Sequence, residues 1–346
     1  MARSNTRHLF LTPATDRARM PVALLSGFLG SGKTTLVNAL LRDPRLAGTA
    51  VAVNEFGDVP LDRDLIDHGT DRTVVMANGC LCCNLAGDME DAVMRLFSRR
   101  EANDLPRFGR LIIEPSGLAD PAPIAQAILR NPVMARAMRL EAIVTTVDAL
   151  FAETQIGRHP ETRKQIALAD RLVLTKTDLV PPDTVHRLQG ELAGLNPVAP
   201  MVTADRGRVD ASVLFPASFF DPEAAACDPV PHRSGLFADD PGHAARYASA
   251  TLLADPPLDW RAFETWLRGI RIRHAEALLR VKGMLHISTI DGPVVIQGVH
   301  HVIDTPVTLD AWPTAHRRSR LVLIADHATI AAARASWTEA LPGLLG

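Results

Sequence analysis

The chain predicts an α/β fold: a doubly wound domain with a mostly parallel sheet, followed by a smaller α+β domain. Three observations carry that expectation. Apolar runs alternate with helical periodicity through roughly the first 200 residues, as βα units do. Several of those runs, such as 22–25 and 172–174, are continuously apolar, as strands covered on both faces must be. Beyond a proline-interrupted stretch the pattern becomes one amphipathic helix, several short strands and a closing helix. The 346 residues, 47% of them apolar, are enough for two cores.

Residues 1–20 carry several arginines around a short Leu9-Phe10-Leu11 patch. That patch is too short for the apolar core of a secretory signal, so the segment reads as a disordered extension, with an organelle-targeting peptide as the alternative. Strands are expected at 22–26, 50–53, 73–76, 110–113, 141–147, 171–175 and 198–202. Helices are expected at 33–42, 84–100, 122–130, 162–168 and 183–194. These elements form a first domain over 21–205. Pro216, Pro222, Pro229, Pro231 and Pro241 mark 206–245 as a linker. The second domain, 246–346, opens with a helix at 258–271 carrying Trp260, Phe263, Trp266 and Leu267, continues through strands at 277–282, 284–290, 293–299 and 320–325, and ends in a helix at 327–341.

A formal net charge of −2 gives no nucleic-acid or anionic-membrane footprint. No apolar run reaches the length of a membrane span. Three of the four cysteines stand at 80, 82 and 83, a crowding unlike a disulfide framework, which points to reduced thiols and a cytoplasmic protein.

Residues 27–34 read Gly-Phe-Leu-Gly-Ser-Gly-Lys-Thr, the phosphate-binding loop pattern, between an apolar strand and an apolar-rich helix. The glycines let backbone N–H groups close around phosphate oxygens at the positive end of the helix. Gly27, Gly30, Ser31, Gly32, Lys33, Thr34 and Thr35 are the expected nucleotide-binding residues, with Lys33 reaching the β and γ phosphates and the Thr34 hydroxyl on Mg²⁺. Strand 110–113 ends in Glu114-Pro115-Ser116-Gly117. There Glu114 would hold Mg²⁺ through water and the Gly117 N–H would sense the γ-phosphate. Thr175-Lys176-Thr177-Asp178 follows the next-to-last strand of the domain. Asp178 would accept both N1–H and the exocyclic amine of guanine, a donor pair that adenine lacks. The Lys176 stem would lie over the base or the loop. Thr175 stands where many GTPases place asparagine, so one base contact is lost or replaced.

Asn78-Gly79-Cys80-Leu81-Cys82-Cys83 follows the 73–76 strand, on the same edge. Thiolates at Cys80, Cys82 and Cys83 suit Zn²⁺ or another late transition metal and leave one tetrahedral position for an outside ligand. A redox switch is the other functional reading, although adjacent Cys82 and Cys83 would make a strained disulfide.

Together these residues resemble the CobW-type GTPases, metallochaperones of the signal-recognition and nitrogenase-iron-protein class of phosphate-loop NTPases. The likeness includes Gly27 to Thr35, Asn54-Glu55-Phe56-Gly57, the cysteine loop, Glu-Pro-Ser-Gly-Leu-Ala-Asp-Pro over 114–121, Thr175 to Asp178, and Leu279-Arg280-Val281-Lys282-Gly283 in a CobW-type C-terminal domain. It implies a first switch at 54–57, catalytic roles for Lys33, Glu55 and Glu114, and a metal held by the cysteine motif inside the GTPase domain. Asp58 replaces a frequent glutamate and is a fourth-ligand candidate, Val53 stands where some members place glutamate, and Pro115 where threonine is frequent. The histidine run many members carry before the second domain is reduced here to His232 and His243. His300 and His301, being adjacent, would face opposite sides of a strand and make no joint site.

The resulting expectation is a GTPase, slow without a partner because no arginine finger stands out from spacing, that passes a metal to a client metalloprotein or metal-inserting enzyme. Zinc leads among the metals, with cobalt or iron delivery to a cobalamin-pathway or nitrile hydratase enzyme as the alternative. A small-molecule kinase using the same loop is the reading from another class. A homo-oligomer is compatible with all three.

Overall fold

The computed structural model describes residues 9–54, 75–78, 85–215, 247–313 and 317–340. The chain divides into two compact units: Met20–Asp221, and a second that joins Met1–Arg19 to Pro222–Gly346. In chain order the described elements begin with helix α1 (Pro13–Ala18), which belongs to the second unit. The first unit then runs β1 (Met20–Gly27), α2 (Lys33–Leu41), β2 (Thr49–Asn54), β3 (Val75–Asn78), α3 (Leu85–Glu101), β4 (Arg110–Glu114), α4 (Ala122–Arg130), α5 (Pro132–Ala137), β5 (Met138–Asp148), α6 (Ala152–Arg158), α7 (Pro160–Leu168), β6 (Arg171–Thr175), α8 (Pro182–Leu195), β7 (Met201–Thr203) and α9 (Ala211–Leu214).

The seven strands lie in the order β3-β2-β4-β1-β5-β6-β7, and every neighbouring pair is parallel. This is the expected doubly wound sheet. β1 occupies its centre, fully buried along Val22–Leu25, with β4 on one side and β5 on the other. The winding direction reverses there, so the loop leaving β1 opens at the topological switch point, where ligands of such sheets bind. Ala23 and Leu25 pack with Leu36, Val37 and Leu40 of α2, Ile112 of β4 and Val144 of β5 in one continuous core.

Several expected boundaries move. The stretch read as a linker from residue 206 still belongs to the first core: Ala211, Leu214 and Phe215 pack there, and Asp210 caps α9 through the Ser212 N–H at 2.9 Å. The prolines that suggested a linker begin only after Phe215. The 198–202 strand starts at Met201, because Pro200 has no N–H to enter the ladder. Helices α5 and α6, absent from the expected set, are short and start from Asn131 and Phe151.

The second unit continues with β8 (Tyr247–Ala254), α10 (Trp260–Arg273), β9 (Leu278–Leu285), β10 (Val294–Val299), β11 (Val302–Ile303), β12 (Val307–Thr308), β13 (Ser319–Asp326) and α11 (His327–Ala340). Its sheet is antiparallel, with β9 between β10 and β13, and β8 at one end. The runs at 277–282 and 284–290 merge into β9, since Gly283 stays in the ladder opposite Ile296 and Leu321. There an added Cβ would sit 2.9 Å from the Arg320 carbonyl oxygen, so glycine marks a close backbone approach and not a turn. β8 was not expected, because Ala248, Ser249 and Ala250 dilute its alternation.

The amino-terminal segment corrects the reading of 1–20 as disordered. From residue 9 onward it is part of the second unit. Leu11 donates to the Pro306 carbonyl at 2.8 Å and accepts from Thr308 at 2.9 Å. Phe10 lies edge-on to Trp260 with centroids 4.7 Å apart. Arg19, 6% exposed, pairs with Asp304 at 3.4 Å and with Asp16. Burial of Phe10 and Arg19 supplies what the polar sequence around them conceals.

Asp326 joins β13 to α11 and accepts the Thr329 N–H at 2.8 Å, an N-cap. The Thr329 hydroxyl and N–H hold its carboxyl below the ordinary aspartate range. Stability from this cap is therefore present above the unfolded aspartate pKa and lost as pH falls through the depressed native value. Asp326→Ala is expected to cost about 1 kcal/mol. All four tryptophans lie between residues 260 and 337, so urea unfolding followed by tryptophan fluorescence reads this unit alone.

Candidate nucleotide site

The loop between β1 and α2 is built by backbone geometry that glycine permits. Gly27, Gly30 and Gly32 have φ of 138°, 72° and 92°. A Cβ at Gly27 would fall 2.2 Å from Thr146 Oγ1 and 2.6 Å from the Thr146 carbonyl oxygen. Lys33, the first residue of α2 and 9% exposed, folds back over the loop, its Nζ donating to the carbonyls of Gly27 at 2.9 Å and Phe28 at 3.2 Å. Ser31 is fully buried, and its hydroxyl shares a 2.7 Å hydrogen bond with that of Thr146.

Thr34 Oγ1 donates to Glu114 Oε1 at 3.0 Å, and Glu114, at the end of β4, is 4% exposed. A hydroxyl and a carboxylate oxygen brought together at a helix N-terminus are the hard donors Mg²⁺ takes. The next turn comes up against the loop. A Cβ on Gly117 would lie 2.7 Å from the Leu29 nitrogen and 2.8 Å from its Cα, so only glycine fits.

β6 ends at the same loop. Thr175 Oγ1 donates to the Ser31 carbonyl at 2.8 Å and more weakly to Val147 at 3.3 Å. Lys176 adopts a left-handed conformation, φ 56°, and its Nζ reaches the Gly30 carbonyl at 2.8 Å and the buried Asp148 carboxylate at 2.6 Å. Lys176 thus lies along the loop, while Asp178 stands exposed in the following turn. Thr35 is exposed on the first turn of α2, and its carbonyl oxygen would be 2.7 Å from a Cβ at Gly207, whose φ is 80°. The turn after β7 therefore closes the far side of the helix start.

The structure brings together all the expected loop residues with Glu114, Gly117, Thr175 and Lys176. Glu55, Asp58, Cys80, Cys82 and Cys83 lie outside the described residues, as do His232 and His243. Asp148, Gln165 and Gly207 escaped the sequence reading. Asp148 ends an apolar strand and could have been flagged as a charge at the ligand-binding edge; the other two have no local signature.

Two family descriptions fit the chain: "CobW/HypB/UreG, nucleotide-binding domain" over residues 21–203 and "Cobalamin synthesis protein cobW C-terminal domain" over 247–341. The chain belongs to the CobW family. Among its relatives, zinc chaperone YjiA of Escherichia coli K12 is 33% identical over 281 residues, covering 81% of this chain and 86% of that protein. Zinc chaperone CobW of a Sinorhizobium species is 27% identical over 352 residues, covering 91% and 95%. The crystal structure of Zn(II)-bound YjiA GTPase from E. coli superposes with a TM-score of 0.71 at 28% identity, over 93% of this chain and 98% of that one. The CobW-type phosphate-loop fold with its second domain is thereby established. Among the described residues no helix is long and apolar enough to cross a membrane.

Proposed function

We propose that this CobW-family chain is a GTP-hydrolysing metallochaperone that carries zinc on Cys80, Cys82 and Cys83, with Asp58 a candidate for the fourth position, and passes it to a client metalloprotein under nucleotide control. The observation that carries the reading is the Thr34–Glu114 contact behind the Lys33 loop, next to a Gly117 pressed against Leu29. That geometry suits a site that binds a triphosphate and registers its last phosphate. The names of the relatives, zinc chaperones and a GTPase crystallised with zinc, favour zinc over cobalt or iron.

The chain's own residues divide the work. Backbone N–H groups of 30–34 would cradle the phosphates and Lys33 would meet the β and γ oxygens. Thr34 and Glu114 would hold Mg²⁺, which when bound neutralises charge on the transferring phosphoryl group. Gly117 would meet the γ-phosphate, and Asp178 the guanine. Glu55, on the first switch, would order next to the nucleotide. Cysteine thiolates remain competent to bind metal in the reducing cytoplasm. A thiolate-rich zinc site is worth on the order of 10 kcal/mol or more. Turning a mostly holding population into a mostly releasing one takes a change of roughly 5 kcal/mol. Withdrawal of one ligand by a reordered switch, or entry of a client thiolate, supplies that scale.

Phosphate release separates this reading from a kinase. GTP alone, without an acceptor, should yield GDP and phosphate slowly but catalytically, and ATP should be a poor substitute. Phosphate release that required an added small-molecule acceptor would favour the kinase instead.

A further inference from the structure

One buried side chain outside every motif joins the loop after β4 to the rest of the domain. Gln165 lies on α7, which packs on β1 and β5, and is 1% exposed. Its Nε2 donates to the carbonyls of Gly117 at 3.1 Å and Ala119 at 3.0 Å. Turning the amide round would set its oxygen against two carbonyl oxygens, so both donors must face the 117–119 turn. Among the described residues Oε1 then meets no hydrogen-bond partner. A buried acceptor left in that state is destabilising. An apolar residue on α7 facing a turn that satisfied its own carbonyls would avoid this. The glutamine spends stability to hold one backbone shape.

The neighbours of Gln165 act on the same turn and on the phosphate loop. Lys164 Nζ pairs with Asp120 at 2.6 Å, and Asp120 in turn accepts the Ala122 N–H at 2.9 Å to start α4. The Gln165 carbonyl accepts from Thr145 Oγ1 at 3.1 Å, anchoring α7 to β5. At the other end of the helix His159 stacks on Phe28 of the phosphate loop, ring centroids 4.5 Å apart. A single helix therefore grips the phosphate loop at one end and the turn after β4 further along.

We propose that Gln165 is a positioning residue for GTP hydrolysis. It fixes the carbonyls of Gly117 and Ala119, so holding the turn in which the Ser116 carbonyl accepts the Ala119 N–H and from which the Gly117 N–H is presented, and makes α7 move with that turn when the γ-phosphate is read. The inference rests on the GTPase reading above.

The test compares Gln165→Met, which keeps the volume and removes both donors, with the natural chain. Single-turnover GTP hydrolysis should fall about 10- to 100-fold, the scale of a misplaced reacting geometry. GDP affinity should stay within about two-fold, because the loop and the base contacts are untouched, while preference for a non-hydrolysable GTP analogue over GDP is lost. A residue needed only for packing would lower the melting temperature and weaken both nucleotides alike, and that outcome overturns the proposal, as does a variant hydrolysing at the natural rate. If Gln165→Met does not fold, hydrogen exchange on the natural chain decides. Residues 114–120 and α7 should gain protection together on adding the analogue; protection of 114–120 without α7 overturns it. A natural chain that hydrolyses no GTP at all removes the GTPase reading first, and this inference with it.

Discussion

Lys33→Ala should leave a folded chain whose GTP hydrolysis is about 100- to 1000-fold slower, the loss expected when one preorganised electrostatic partner of a transition state is removed. Lys33 begins α2 at the centre of the sheet, and its ammonium is held over the loop by the carbonyls of Gly27 and Phe28. Those two hydrogen bonds are local, and the strand beneath them is buried whether or not the ammonium is present, so the fold should survive. Single-turnover phosphate release alongside the melting temperature separates the two effects. A variant that hydrolyses GTP at the natural rate would show that the phosphates bind elsewhere.

The second large effect belongs to Gly117→Ala. The new Cβ would meet the Leu29 backbone at 2.7 and 2.8 Å, inside the distance any carbon tolerates. The obstacle is backbone on a loop braced by Thr175 and Lys176, so relief must come from the turn after β4 backing away. Affinity for a non-hydrolysable GTP analogue is expected to drop about ten-fold, near 1.4 kcal/mol, with GDP affinity changed much less. Isothermal titration with both nucleotides reads the difference. Equal weakening of the two would mean that the substitution damages the loop itself and not the sensing of the third phosphate.

Much of this architecture was legible in the residues, and the reason is locality. The phosphate loop, the Glu114 turn and the 175–178 turn are contiguous strings whose chemistry demands their spacing, and each follows a strand whose apolar run is unambiguous. What stayed hidden depends on distant partners. Gln165 is an ordinary helix residue until the fold sets it under Gly117. Gly207 looks like any turn glycine until α2 is seen against it. Residues 9–19 read as a polar tail because the surfaces that bury Phe10 and Arg19 come from the far end of the sequence. The first domain runs past 205 because Ala211, Leu214 and Phe215, each an ordinary apolar residue by itself, are buried in its core just before the five prolines begin.

The most direct measurement is a zinc titration of the reduced 346-residue chain with a GTP analogue, with GDP and without nucleotide, set beside Cys82→Ala. The expected result is one tight zinc per chain, lost in Cys82→Ala, with an affinity that shifts between the GTP-analogue and GDP states. Zinc that binds equally tightly in every nucleotide state, or survives the cysteine substitution, would contradict nucleotide-controlled transfer from this loop.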